Sequence, residues 1–230
     1  MGIVVFGIPK KISIFLRDSF GIKNLVETGA YYGGTTLWAA ENFNNVYTVE
    51  NSEKMYLRVK ATLKNIYHVK LHFGNSPIFL KKIESLLAEP TVFWLDAHWS
   101  GGDTYGENDE CPLIEEIKII NKYRIETFIL IDDARMFLAP PALPHNAKRW
   151  PDINSLFKEL GDKKYTVILD DVIISIPIKY RDRFISFLQD KYYSYLVKEN
   201  KANNNNIIKE TKEYLYFLAT KLLLRFKKTS

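Results

Sequence analysis

The segment Leu25 to Thr35 constrains this chain more than any other. It reads Leu-Val-Glu-Thr-Gly-Ala-Tyr-Tyr-Gly-Gly-Thr and runs on into Trp38-Ala39-Ala40. An apolar pair, a glycine turn and a run of helix formers predict a short buried strand that turns directly into a helix. A second apolar run, Val46 to Val49, ends in an acid, Glu50. Strand, Gly turn, helix and an acid at the tip of the next strand is the layout with which α/β folds hold a nucleoside. The turn lets backbone approach the ligand, and the acid accepts hydrogen bonds from ribose hydroxyls.

Spacing inside the turn discriminates between ligands. A dinucleotide site needs G-x-G-x-x-G, whose second Gly leaves room for a pyrophosphate. Here the positions are Gly29, Tyr31 and Gly33-Gly34, so a tyrosine side chain stands where that Gly belongs. A βα turn with Gly for tight packing explains the same residues without any ligand, and that alternative stays open. The pattern E-x-G-x-x-x-G-G, carried by Glu27, Gly29, Gly33 and Gly34, resembles the first motif of class I S-adenosylmethionine (SAM) methyltransferases. In that family the glycine loop lies beside the methionine part of the cofactor, which carries no phosphate. The resemblance implies SAM as cofactor. Glu27, Gly29, Tyr31, Gly33 and Thr35 would then lie around its methionine part, with Glu27 receiving the amino group directly or through water. Glu50 would take the ribose.

Apolar runs alternate with helix-period segments along the rest of the chain, which predicts a mostly parallel sheet. Helices are expected at Lys10 to Phe20, Gly34 to Phe43, Ser52 to Asn65, Pro77 to Ala88, Pro112 to Tyr123 and Ile153 to Leu160. Strands are expected at Asn24 to Glu27, Val46 to Glu50, Val69 to Phe73, Thr91 to Leu95 and Thr127 to Ile131. Tyr165 to Leu169 and Val172 to Ile176 flank Asp170-Asp171 and read as a closing hairpin. Five parallel strands and a hairpin match the Rossmann-like, doubly wound seven-stranded α/β sheet of class I methyltransferases. Ala134 to Pro151, with four prolines, is too long for an ordinary connection and reads as a functional, lid-like segment. The loop Trp99 to Cys111, rich in Gly and acids, reads as a mobile acceptor lid or a solvated loop. The expected domains are 1–178 for the sheet and 179–230 for a helical extension packed on the domain or on a partner.

Composition narrows the function classes. The 230 residues suffice for one α/β domain with a sizeable core. One cysteine, Cys111, excludes an internal disulfide framework and a Cys-based zinc site; it reads as structural and fits a reducing compartment. No secretory leader and no membrane span are expected, so the expected location is cytoplasmic. The formal charge is +5, yet from Ile207 onward six Lys or Arg face two Glu. The body is therefore close to neutral and predicts no nucleic-acid groove. The apolar, basic tail 207–230 reads first as packing against the domain or a second subunit. The other reading is an amphipathic helix on an anionic membrane surface.

A second constellation lies at two strand ends. Phe93-Trp94-Leu95 runs into Asp96-Ala97-His98-Trp99, and Leu130-Ile131 runs into Asp132-Asp133. Strands four and five are neighbours in a doubly wound sheet, and both end on the carboxyl edge where ligands bind. Three clustered carboxylates repel unless protonated or bridged by a cation, and oxygen donors suit Mg²⁺ or Ca²⁺. Helix capping is the competing role for each Asp taken singly. These two stretches, with Cys111-Pro112-Leu113-Ile114-Glu115-Glu116, resemble metal-dependent O-methyltransferases of the catechol and macrolide-sugar types. The resemblance implies Asp96, Asp132 and Asp133 as metal ligands, Asp96 also beside the cofactor, and a hydroxyl acceptor. A sugar or glycan precursor is the first expectation. The sequence departs from the catechol type by inserting Ala97, by Asp133 where Asn is usual, and by Ser100-Gly101-Gly102 where a Lys base would follow.

His98 is the expected general base, two residues past Asp96 on an extended backbone and with an ordinary pKa suited to neutral pH. A His packed under the lid explains it equally well. His145 is the weaker candidate. Asn75, after strand three, stands where the resemblance implies an acid or amide near adenine; the other reading is a turn Asn. The competing activities are a NAD-dependent oxidoreductase or epimerase, opposed by Tyr31, a metal-independent methyltransferase whose acids only cap helices, and a non-catalytic protein that binds SAM.

Overall fold

The computed structural model describes residues 7–99, 110–139 and 141–191, together with 193, 194 and 197. The chain divides into two units, 1–179 and 180–230. In the second unit, residues 181–191 are helical. The expectations for the loop 100–109 and for the tail 207–230 lie outside the described residues.

The first unit is one seven-stranded sheet. Its strands are β1 Asn24–Thr28, β2 Asn45–Glu50, β3 Val69–Phe73, β4 Thr91–Leu95, β5 Thr127–Ile131, β6 Lys164–Leu169 and β7 Val172–Pro177. Their order is β3-β2-β1-β4-β5-β7-β6, with the first five parallel and β7 antiparallel to both β5 and β6. This is the expected Rossmann-like sheet with its terminal hairpin. Burial follows position in the sheet. Every residue of β1, β4 and β5 is buried, whereas β3 and β6, at the two edges, are partly open. With both faces covered, β1, β4 and β5 carry apolar runs, Leu25-Val26, Val92 to Leu95 and Phe128 to Ile131. Their buried polar residues Asn24, Glu27, Thr28, Thr91 and Thr127 lie towards the strand ends.

The helices are α1 Lys10–Phe20, α2 Gly34–Asn42, α3 Glu53–Thr62, α4 Ser76–Ile83, α5 Leu113–Ile120, α6 Arg135–Leu138 and α7 Ile153–Leu160. The core cluster joins Val26, Phe93, Ile129 and Ile173 of the sheet to Leu80 of α4, Ile117 of α5 and Leu156 of α7. Side chains alternate across a strand, so Phe128 faces the other way, and there Phe20 of α1 stacks on it at 5.5 Å. Each such fully buried side chain contributes ~1.5–3 kcal/mol through the area it removes from water.

Three local differences from expectation have physical causes. The fourth helix stops at Ile83 and its last turn tightens into a 3-10 turn, Glu84–Leu86. The third ends at Thr62, where a turn returns Ile66 N–H to the Leu63 carbonyl. The segment 134–151, read as one long connection, contains α6 and a 3-10 turn, Ala147–Arg149.

Candidate functional site

Strand register brings the predicted residues to one edge. Thr28 pairs with Val49 and with Leu95, and Leu95 pairs with Ile131. The next residues along these strands are Gly29, Glu50, Asp96 and Asp132, which therefore form one row at the carboxyl end of the sheet. Backbone hydrogen bonds tie the row together: Gly29 N–H to Val49 carbonyl at 3.1 Å, Asp96 N–H to Thr28 carbonyl at 3.0 Å, and Asp132 N–H to Leu95 carbonyl at 3.2 Å. Strand order reverses between β1 and β4, so the crevice of an open α/β sheet lies where Gly29 meets Asp96.

Gly29 is required there. Its φ is +88°, and a Cβ at this position would sit 2.3 Å from the Asp96 carbonyl oxygen. Tyr31 also holds a left-handed φ, 47°, uncommon for a bulky residue. Its backbone N–H donates to Glu50 Oε2 at 2.7 Å, and Ser52 N–H donates to Glu50 Oε1 at 2.7 Å. The predicted ribose acceptor is thus fixed by two backbone donors, one from the glycine turn itself. The Tyr31 ring stays 48% exposed, edge-on to Tyr32, over which the Arg58 guanidinium lies at 4.2 Å. Gly33, at φ 78°, starts α2, and Thr35 lies half-buried in its first turn.

Glu27 sits deeper than a surface ligand contact. Thr36 of α2 and Thr48 of β2 both donate to its Oε2, at 2.5 and 2.6 Å. Burial pushes its carboxyl up to about 7, against the pull of these two hydroxyls. Glu27 therefore joins β1, β2 and α2 beneath the glycine turn. Asn75 caps α4, its Oδ1 accepting Ile78 N–H at 3.2 Å.

The acids at the β4 and β5 ends are not three equivalent carboxylates. His98 Nε2 lies 2.9 Å from Asp133 Oδ2, and its Nδ1 lies 3.9 Å from Asp96 Oδ1. Arg135 Nη1 lies 2.8 Å from Asp133 Oδ1. Asp132 accepts the Asp133 N–H at 2.8 Å. Burial raises Asp96 well above the usual carboxylate range; His98 draws it back, and Asp132, Asp133 and Glu27 add to the rise. Burial and the Asp133 charge raise Asp132 to about 6. Burial would raise Asp133 too, but His98 and Arg135 pull it below its ordinary value. For His98, burial works downward, yet the Asp133 hydrogen bond and the surrounding carboxylates outweigh it and raise the imidazole. The ordinary pKa assumed for His98 from sequence is therefore corrected: the surrounding acids favour its charged form. Among the described residues, no group of three His, Cys, Asp or Glu side chains forms a ready cage for a metal ion. Asp133, expected as the third ligand, turns instead to His98 and Arg135.

His145 lies elsewhere. Its ring stands edge-on to Trp99 and Trp150 at 5.1 and 5.4 Å, with Nδ1 3.6 Å from Glu110 Oε2. Glu110, which sequence reasoning did not single out, is 3% exposed and organises this corner. It accepts Trp150 Nε1–H at 2.8 Å and Asn146 N–H at 3.0 Å, while its carbonyl accepts Trp99 N–H at 2.8 Å. Trp150 in turn stands 5.4 Å edge-on to His98 and 5.7 Å from Phe137. The segment 141–151 is thus latched beside His98. Cys111 is half-buried and lines a small cavity with His98 and Glu116.

Comparison with solved structures fixes the fold. The O-methyltransferase TomG from Streptomyces achromogenes, solved with SAM, superposes with a TM-score of 0.54 at 12% identity, over 76% of this chain and 82% of that one. A Staphylococcus aureus protein assigned as a caffeoyl-CoA O-methyltransferase gives 0.53 at 15% identity, over 76% and 86%. The fold is that of the class I SAM-dependent methyltransferases. The SAH-bound methyltransferase PaMTH1 from Podospora anserina also shares this methyltransferase fold, at 0.50 and 19% identity, over 75% and 80%. No family model matches the sequence. No curated protein matches it either.

Proposed function

We propose that the chain transfers a methyl group from SAM to a hydroxyl oxygen, with a sugar or similar small polyol as acceptor. The observation that carries this reading is the single row Gly29, Glu50, Asp96 and Asp132 at the crevice edge, with Glu50 preset by Tyr31 and Ser52 N–H groups. Glu50 takes the ribose hydroxyls, and Gly29 lets the cofactor approach the β1 turn. Tyr31 disfavours the pyrophosphate of NAD. In the reaction, the acceptor oxygen attacks the methyl carbon as the carbon–sulfur bond breaks. The sulfonium electrons return to sulfur, and the hydroxyl proton passes to a base. His98, unprotonated before the step and oriented by Asp133, accepts that proton and becomes imidazolium. The sugar acceptor rests on the likeness of Asp96, Asp132 and Asp133 to the sugar-modifying branch.

A divalent cation fits the donor chemistry in part. Asp96 and Asp132 are hard oxygen donors, both raised by burial, Asp96 also by the Asp132 charge and Asp132 by the Asp133 charge, which a cation would relieve. When bound, such an ion would acidify the acceptor hydroxyl. The engagement of Asp133 with His98 and Arg135 favours a second reading, metal-free transfer with His98 and Asp133 alone moving the proton.

Labelled SAM offered with a panel of sugars and polyols, with and without chelator, tests both. Transfer to a hydroxyl supports the activity, and its loss with chelator selects the metal reading. A protein that binds SAM but methylates nothing in the panel sinks the enzyme reading in favour of a cofactor-binding protein.

A further inference from the structure

The β6–β7 turn carries backbone strain that the hairpin alone does not need. Asp170 and Asp171 both hold left-handed φ values, 50° and 68°. Two-residue hairpin turns of this kind favour Asn-Gly or Gly-Gly, since each non-Gly residue there costs on the order of 1 kcal/mol or more. A glycine at 171 would relieve the backbone, so the Asp side chain needs another reason.

Its position supplies one. The antiparallel ladder pairs Ile131 of β5 with Ile173 of β7. Carried two residues further, that register sets Asp133 opposite Asp171. Like charges facing across an antiparallel pair repel. The two carboxylates are bridged by one residue, Arg135. Its Nη1 is 2.8 Å from Asp133 Oδ1 and also pairs with Asp171 Oδ2. Asp171 Oδ1 further accepts the Arg135 backbone N–H at 2.9 Å, and the Asp171 carbonyl accepts Ala134 N–H at 2.8 Å. The Asp171 side chain is 7% exposed, so these contacts are desolvated on its side. Asp171 grips both ends of Arg135. Arg135 occupies one oxygen of Asp133, and the other oxygen faces His98 Nε2 at 2.9 Å.

We propose that Asp171 is a positioning residue for the reaction site: through Arg135 it aims Asp133 at His98. The strained turn is the anchor of a four-residue chain, Asp171, Arg135, Asp133 and His98, that reaches from the hairpin to the crevice edge. A guanidinium with a fixed donor geometry suits this bridging role, because one nitrogen carries two protons and can serve two carboxylates at once. The significance of the chain rests on the reading of His98 and Asp133 as part of the site, but its existence does not depend on SAM binding.

The test is therefore made on the ligand-free full chain. The protein has four His, so imidazole resonances of ¹⁵N-His-labelled protein are few, and His98→Asn assigns the one of interest. Asp171→Asn keeps a residue that tolerates left-handed φ and still accepts the Arg135 N–H, but loses the ion pair. Arg135→Gln removes the bridge from the other side, and Asp133→Asn marks the full effect. The expected result is a shift of the His98 imidazole signals in Asp171→Asn and Arg135→Gln, in the direction seen in Asp133→Asn. The other three His stay in place, and SAM affinity by calorimetry stays that of the wild type. Arg135→Lys, which keeps the charge without the fork, should restore the signals only in part. His98 signals that superpose on the wild type in the folded variants overturn the proposal, as does a general shift of all His signals. If one variant fails to fold, the other decides by the same criterion. Failure of SAM to bind any variant, wild type included, would remove the enzyme reading while leaving this result standing.

Discussion

Asp132 is the residue where the site's electrostatics can be weighed most directly. It is 7% exposed, and burial plus the Asp133 charge raise its carboxyl from an ordinary 3.8 to about 6. A buried acid with a raised pKa costs stability once the unfolded chain can ionise. Below pH 3.8 both states are protonated and nothing is lost. The cost builds as pH climbs from 3.8 and is complete above about 6. At ~1.36 kcal/mol per pH unit, that shift makes the ionised group cost about 3 kcal/mol at pH 7 and about 1 kcal/mol at pH 4.5. Asp132→Asn is isosteric and its Oδ1 can still accept the Asp133 N–H, the 2.8 Å contact of the wild type. The variant should therefore be the more stable protein, with a midpoint raised roughly 6–12 °C at pH 7 and clearly less at pH 4.5. Urea and thermal unfolding at the two pH values measure the gap. Added Mg²⁺ should narrow it at pH 7 by stabilising the wild type alone, if the ion settles on Asp96 and Asp132. A variant that is less stable, or a gap equal at both pH values, would refute the electrostatic reasoning.

Other outcomes follow from single features. Gly29→Ala should lose at least ~1 kcal/mol of stability and all measurable SAM binding, because φ is +88° and a Cβ would strike the Asp96 carbonyl; unaltered binding would mean the turn is not at the cofactor. Glu50→Ala should weaken SAM binding about 10- to 100-fold, the value of one or two hydrogen bonds to a charged acceptor, and an unchanged dissociation constant would dismiss its ribose role. His98 has its pKa raised in the folded state, so its contribution is present below pH 6.5 and is lost as pH rises through the raised value. Comparing His98→Asn with the wild type should show that slope vanish. Glu110→Ala should release Trp150 and red-shift tryptophan emission without changing SAM affinity; constant emission would show that ring packing alone holds it.

The strands of the fold were legible because sheet position and residue type agree. β1, β4 and β5 are buried on both faces, so Leu-Val, Val-Phe-Trp-Leu and Phe-Ile-Leu-Ile had to be apolar runs. The row Gly29, Glu50, Asp96 and Asp132 was legible for a related reason: parallel strands that begin in register end in register, and each of these residues is the last of its strand or follows directly. Less could be read from 134–151, where prolines hid a four-residue helix and a 3-10 turn. What could not be read was the company each acid keeps. Asp133 is bound by Arg135, two residues on, but the partner that fixes Arg135 is Asp171, brought by the hairpin from far along the chain. Glu110 and Trp150 meet through tertiary docking that no local pattern encodes. A charge count at a strand end cannot distinguish a cation site from a carboxylate already matched by Arg and His, because that difference lies in side-chain direction.

The claim at the centre of this account is that the glycine turn and Glu50 hold SAM. Isothermal titration calorimetry of the full chain against SAM, and separately against NAD, tests it without knowing the acceptor. The account predicts saturable binding of SAM that falls in Glu50→Ala and disappears in Gly29→Ala, with no heat from NAD. Absence of binding at millimolar SAM, or saturable binding of NAD in its place, would contradict it.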